Sequence, residues 1–169
     1  MPHKYSTNPA MKRIFFFIAL AIAAVSFTSC LTSDDHSTPF IRASYLYRST
    51  LDGVQDTVNY GDTVHVGDTL RGPIVLIGGY NNLTELQVSI DTTECDFHLL
   101  IDSGYSSQIT AASKPEKGYL RFADEVYLYP TTLWFVPKKT GDLMISLTLS
   151  STAGDKYSPL NAYFITPVR

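Results

Sequence analysis

Basic residues are in the minority in this 169-residue chain, 13 Lys and Arg against 16 Asp and Glu, and they never form a run longer than two. An acidic balance without a basic stretch argues against nucleic acid as a partner. Cysteine is scarce, with only Cys30 and Cys95 present and no Cys-x-x-Cys. Gly-x-Ser-x-Gly, His-Glu-x-x-His and a phosphate-binding glycine loop are also missing. No catalytic residue, cofactor or metal site is therefore assigned, and the chain is not expected to be an enzyme. Helical periodicity is almost absent after residue 30. The one long apolar run, Ile14 to Phe27, has 14 residues, whereas a membrane-spanning helix needs about 20.

That run follows Lys12 and Arg13, and a short apolar stretch behind two positive charges reads as a secretory signal. Met11 would suffice as its start. The residues Ser26-Phe27-Thr28-Ser29-Cys30 then resemble the processing site of bacterial lipoproteins. The resemblance implies a signal peptide over 1–29 and lipid on Cys30; plain secretion, with Cys30 an ordinary residue, is the alternative. Phe27 stands where Leu is usual, a departure that the relaxed pattern of Bacteroidetes lipoproteins tolerates. Ser33, Asp34 and Asp35 resemble the acidic export signal of surface lipoproteins in that group. This implies an outer-membrane protein, held in the membrane by its N-terminal lipid and facing the cell exterior. A periplasmic orientation is the other possibility, since any solvated tether contains a few acids. Multiple acyl chains give lasting attachment where a single chain binds only reversibly.

Removing 29 residues leaves 140, the length of one domain. Residues 30–39 read as a lipidated tether and 40–169 as the domain. Loss of Lys4, Lys12 and Arg13 leaves 10 basic against 16 acidic groups, a net charge of −6. With Cys30 lipidated, Cys95 has no disulfide partner, and a lone Cys among strand residues is usually a small buried hydrophobe.

The mature region reads as β. In Asp142 to Ser150 the residues Leu143, Ile145, Leu147 and Leu149 fall on one face and Met144, Ser146, Thr148 and Ser150 on the other, a strand with one buried side. Glu85 to Asp91 alternates likewise. Further strands are expected at Phe40–Arg48, Ile74–Ile77, Phe97–Asp102, Tyr119–Phe122, Val126–Tyr129, Leu133–Val136 and Tyr163–Thr166. Gly78-Gly79, Asn81-Asn82, Tyr129-Pro130, Pro137 to Gly141 and Gly154-Asp155 carry turn chemistry between them. About seven to nine short strands so punctuated indicate an all-β sandwich or barrel. Ser103 to Gly118 is a long connection without strand periodicity, and such connections are often functional.

Val-Gly-Asp-Thr-Leu before an apolar strand resembles the start of immunoglobulin-like domains of bacterial surface proteins. Leu133-Trp134-Phe135-Val136-Pro137-Lys138-Lys139-Thr140-Gly141 is similar to their x-Pro-x-x-x-Gly corner before the penultimate strand. The resemblance spans roughly Val54 to the C-terminus. It implies a single immunoglobulin-like antiparallel β-sandwich.

Asp56 to Leu70 repeats Asp-Thr-aliphatic and Gly every six residues. Six is a multiple of the strand period, so Val58, Tyr60, Val64, Val66 and Leu70 share one side of an extended chain. Fifteen residues exceed a usual strand of about 5–6, so Gly61-Asp62 or Gly67-Asp68 must bend it. The Asp-Thr pairs resemble the O-glycan acceptor of Bacteroidetes, which implies modification at Thr57, Thr63, Thr69 and Thr92. Asp-Thr before an aliphatic residue is equally a turn-into-strand sequence.

Asp96 and His98 share a strand face and could offer two metal ligands, with His65 a further candidate. That is fewer than a closed site needs. Eleven Tyr, nine Phe and one Trp make the chain rich in aromatics. Core packing is the ordinary use of such rings. Exposed rings at Trp134, Tyr127 and Tyr129 would instead stack sugars. Two functions follow: a non-catalytic binding or structural module for a protein partner, or a carbohydrate-binding module of a glycan-uptake system.

Overall fold

The computed structural model describes residues 37–169. The expected signal segment 1–29, the start at Met11, the lipidation position Cys30 and the export residues Ser33, Asp34 and Asp35 lie outside the described residues.

Ten strands follow in chain order: β1 Phe40–Ala43, β2 Leu46–Ser49, β3 Gln55–Val58, β4 Thr69–Ile77, β5 Leu83–Ser89, β6 Cys95–Leu100, β7 Tyr119–Arg121, β8 Leu128–Pro137, β9 Gly141–Ser151 and β10 Leu160–Val168. All pairings between them are antiparallel. The larger sheet runs β3-β2-β4-β8-β6, with β1 also on β4, and the smaller runs β10-β9-β5-β7. The protein is an immunoglobulin-like antiparallel β-sandwich. Its core lies between the sheets, where Leu70, Ile74, Leu76, Leu133 and Phe135 meet Leu86, Leu120, Ile145, Leu147 and Leu149. The Pro137 to Gly141 corner carries the chain from β8 in one sheet to β9 in the other. β9 and β10 form the closing hairpin, with Leu160 opposite Leu149 and Val168 opposite Gly141.

The expected strand at Phe40–Arg48 is two strands. Ala43 faces Ile74 and Tyr47 faces Arg71, four steps on one chain against three on the other. The extra residue forms a bulge between β1 and β2. The expected turn at Tyr129-Pro130 is instead strand, and the two segments around it form one β8. Proline lacks a ladder donor, so it is excluded from a fully paired central position. β6 reaches only as far as Thr132 on β8, so at Pro130 the strand has β4 alone as neighbour.

The six-residue repeat resolves into two matching turns. Asp62 N donates to Asn59 O at 3.1 Å, and Asp68 N donates to His65 O at 3.1 Å. Gly61 and Gly67 occupy the third turn position with φ of 94° and 86°, the left-handed requirement of a type II turn. Each aspartate folds back on its own turn: Asn59 N donates to Asp62 Oδ2 at 2.7 Å, and His65 N donates to Asp68 Oδ2 at 2.9 Å. Between the turns Val64 leaves the larger sheet and bridges in parallel to Val168 of β10. Val58, Tyr60, Val64, Val66 and Leu70 all belong to or pack against the core. The repeat is thus a stitch that crosses from one sheet to the other and back. Tyr60 lies over Gly72 of β4, where any side chain would collide with its hydroxyl. Its ring packs 4.5 Å from Phe164 of β10, and burial pushes its pKa up to about 12.

Candidate functional site

Alternation along β8 sends Tyr129, Thr131, Leu133, Phe135 and Pro137 into the core and Leu128, Pro130, Thr132, Trp134 and Val136 outward. Register then sets their neighbours. His98 of β6, Trp134 of β8, Arg71 of β4, Tyr47 of β2 and Thr57 of β3 fall in one row across the outer face. Four strand spacings give that row a length of roughly 19 Å. His98 stacks on Trp134 with ring centroids 4.4 Å apart and planes inclined by 27°. Tyr45 and Tyr47 pack edge to face at 5.0 Å and share a hydroxyl–hydroxyl bond of 2.9 Å.

At the other end of the same face lies an apolar row, Phe40, Ile77 and Leu128. Phe40 and Leu128 are 46% and 51% exposed, far more than a core contact would leave them. Between the rows is a depression of about 500 Å³ lined by Pro73, Val75, Leu100, Pro130 and Thr132. One wall is Tyr105, from the long connection after β6. That connection holds two short 3-10 turns, Ser103–Gln108 and Pro115–Lys117. Asp102 caps the first by accepting from Gly104 N at 2.8 Å. The middle of the face, from Phe40 and Leu128 to Trp134, is thus largely apolar and aromatic, with Arg42 and Arg71 within it and Asp102 and the Asp96–Lys138 pair at its β6 edge.

The three rings named as a sugar platform do not form one. Trp134 is half-buried on the outer face. Tyr127 is exposed but lies just before β8. The expectation of an exposed ring at Tyr129 is corrected: it is fully buried and packs against Phe122 and Tyr105. Burial also raises its pKa. The reason is parity, since a core-facing position in β8 falls on 129.

Asp96 and His98 point outward together, as their spacing requires, but each is otherwise engaged. Asp96 pairs with Lys138 at 2.5 Å and His98 lies on Trp134. His65 sits on the second turn, 3.8 Å from Asp68. Among the described residues no group of three or more His, Cys, Asp or Glu is arranged to hold a metal ion. Cys95, at the start of β6 beside Pro137 of β8, is fully buried, and burial pushes its thiol up to about 12.

Thr57 and Thr92 are exposed, whereas Thr63 and Thr69 are half-buried. The aspartates before them are all in use. Asp56 pairs with Arg48, which holds its carboxyl below the usual range. Asp91 accepts from Thr93 N at 2.8 Å, while Asp62 and Asp68 cap their turns. Leu128, Pro130, Val75 and Phe40 were not singled out in the sequence. Alternation within 128–136 places Leu128 and Pro130 on the side of Trp134, whereas Val75 and Phe40 join that face only through the register of β4 and β1.

No family model matches the sequence, and no curated protein does. Several solved structures resemble the fold. One, described as BspA_C_mut, is 13% identical with a TM-score of 0.43, over 76% of this chain and 46% of that one. The C-terminal domain of the Streptococcus pyogenes antigen I/II-family protein AspA is 15% identical with a TM-score of 0.41, over 74% and 46%. A family 123 glycoside hydrolase from Clostridium perfringens is 13% identical with a TM-score of 0.42, over 79% and 27%. The chain spans less than half the length of each of these three, and the likeness is one of β-rich layout.

Proposed function

We propose that this protein is a non-catalytic binding module of the cell envelope, which holds a protein partner through the outer face of its larger sheet. Lipid on Cys30 anchors it in the outer membrane, facing the exterior. The observation that carries this reading is the face itself. Phe40, Tyr47, Leu100 and Leu128 are each more than a third exposed, around a depression of about 500 Å³. Apolar patches of this kind, rimmed by charge, mark interaction sites. Aromatic residues and arginine are the groups most enriched at such interfaces, and Trp134, Tyr47 and Arg71 lie in one row here.

A photo-crosslinking amino acid placed at Thr132 should capture one discrete partner on intact cells. The same residue placed at Thr148, on the outer face of the smaller sheet, should not. Equal labelling from both positions, or none from Thr132, overturns the proposal. Replacing Cys30 by Ser should release the protein from the membrane fraction, and retention would refute the anchor.

A further inference from the structure

A second cavity lies away from that face, at the end of the smaller sheet, with a volume of about 410 Å³. Its polar lining comes from Asn82, Glu85, Thr110, Arg121, Asp124 and Thr152. Two of these carry a buried polar atom without a hydrogen-bond partner, Asn82 Oδ1 and Thr110 Oγ1. Buried polar groups in folded proteins are nearly always paired, so two orphans in one cleft call for an explanation.

A badly formed frame does not explain them. Asn82 N donates to Thr152 Oγ1 at 3.1 Å, and Thr152 N returns a bond to Asn82 O at 2.9 Å. Phe122 N donates to Thr84 O at 3.0 Å, and Thr110 N to Arg121 O at 2.8 Å. The backbone around the cleft is satisfied and holds the two side chains in place. The register of β5 against β9 also slips between Leu83 and Glu85. That bulge breaks alternation and leaves both Thr84 and Glu85 half-exposed at the cleft. Bulges commonly re-aim side chains beside binding sites.

The charges restrict what could bind. Glu85 and Asp124 disfavour an anion, and Arg121, 3.9 Å from Glu85, disfavours a metal ion. A hydroxyl both donates and accepts, so it can serve an amide oxygen, a threonine, a carboxylate and a guanidinium in turn. Leu83, Phe122 and Ala123 complete the lining with apolar groups. The volume lies in the range of small-molecule sites, about 300–1,000 Å³. We propose that this cleft binds a single neutral sugar residue, held by hydrogen bonds and not by stacking on an exposed ring.

Amide NMR of the full chain tests this, with glucose, galactose, mannose and N-acetylglucosamine as probes and calcium chloride and sodium phosphate as controls. At least one sugar should give saturable shifts confined to Asn82–Glu85, Thr110, Arg121–Asp124 and Thr152. Thr110→Val removes the orphan hydroxyl at nearly constant shape. It should weaken that sugar about tenfold while leaving the unfolding midpoint unchanged or higher. Asp124→Asn, at an exposed position, keeps the fold under test should the valine variant fail to fold, and it too should weaken binding. Absence of shifts with all four sugars, wild-type affinity in both variants, or saturation of the cleft by calcium or phosphate instead overturns the proposal. The cleft and Trp134 belong to different sheets, so this result and the crosslinking result stand or fall separately.

Discussion

β8 and β9 are the longest strands of their sheets and alternate alike, but they turn different residues to solvent. β8 presents Leu128, Pro130, Thr132, Trp134 and Val136, and β9 presents Met144, Ser146, Thr148 and Ser150. The neighbours follow suit. Around β9 lie Gln87, Ser89 and Asn161, and Thr148 Oγ1 donates to Asn161 Oδ1 at 2.9 Å. Around β8 lie Val75, Ile77, Leu100 and Phe40. The smaller sheet has an apolar corner of its own, Met144 beside Ile165 with Tyr163 nearby, but no continuous apolar face. Serine and threonine evidently suffice to close the outer wall of this sandwich. The apolar wall of the larger sheet is thus not a requirement of the fold, which is why it carries the functional proposal.

Inside, the two sheets should be equivalent, and that can be broken by mutation. Leu133 of β8 and Leu147 of β9 are each 1% exposed. Leu133→Ala and Leu147→Ala should each destabilise by about 2–5 kcal/mol, the transfer cost plus a cavity. Urea denaturation gives the comparison directly. A loss below about 1 kcal/mol at either position would mean that its sheet can detach from the common core.

A smaller effect separates the sheets by chemistry. The inward side of the larger sheet carries Cys95 and Tyr129, while the inward residues of the smaller one are all non-titratable among the described residues. The thiol of Cys95 is raised in the folded state, so its neutral form is the one the fold prefers. Stability from this group is complete below the unfolded pKa, about 8.5. It is lost as pH rises from there toward the folded value, by at most about 1.4 kcal/mol per pH unit. Cys95→Val should flatten the decline between pH ~8.5 and ~10, whatever its constant offset in stability. An unchanged slope in pH-dependent urea midpoints would show that the thiol is not buried in solution.

The legible part of the fold was local. Leu143 to Leu149 announces its inner and outer faces by strict alternation, and β9 has them as read. Positions that depend on a distant neighbour were not legible. Pro130 looks like a turn until β6 is known to stop at Thr132. The bulge between β1 and β2 is set by β4, which lies beyond β3 and three turns. Tyr127 and Tyr129 share a parity in the sequence, but β8 begins only at Leu128, so the strand rule applies to one and not the other. The site is less legible still. His98, Trp134, Arg71 and Tyr47 come from four strands, and only register brings them into a row. Nor could any local pattern show that Asn82 and Thr110 keep unpaired atoms in one cleft.

The link between the sheets offers the finest contrast, because the chain makes the same turn twice in different surroundings. Asp62 is exposed, whereas Asp68 is 2% exposed. Water can replace the Asp62 carboxylate at Asn59 N, and a solvent-exposed interaction of this kind is worth about 0.2–1 kcal/mol. No such replacement is open to His65 N, since the acceptor lost with Asp68 is inside the fold. A hydrogen bond to a buried charged group contributes about 1.5–3 kcal/mol. Asp68→Ala should therefore cost about 2 kcal/mol and Asp62→Ala less than about 1, both read from urea midpoints. Asp68→Asn keeps an acceptor oxygen and should recover part of the loss. Equal costs at the two turns would mean that burial of the second aspartate contributes nothing, and that the backbone bonds of Val64, Val66 and Gly67 hold the stitch without it.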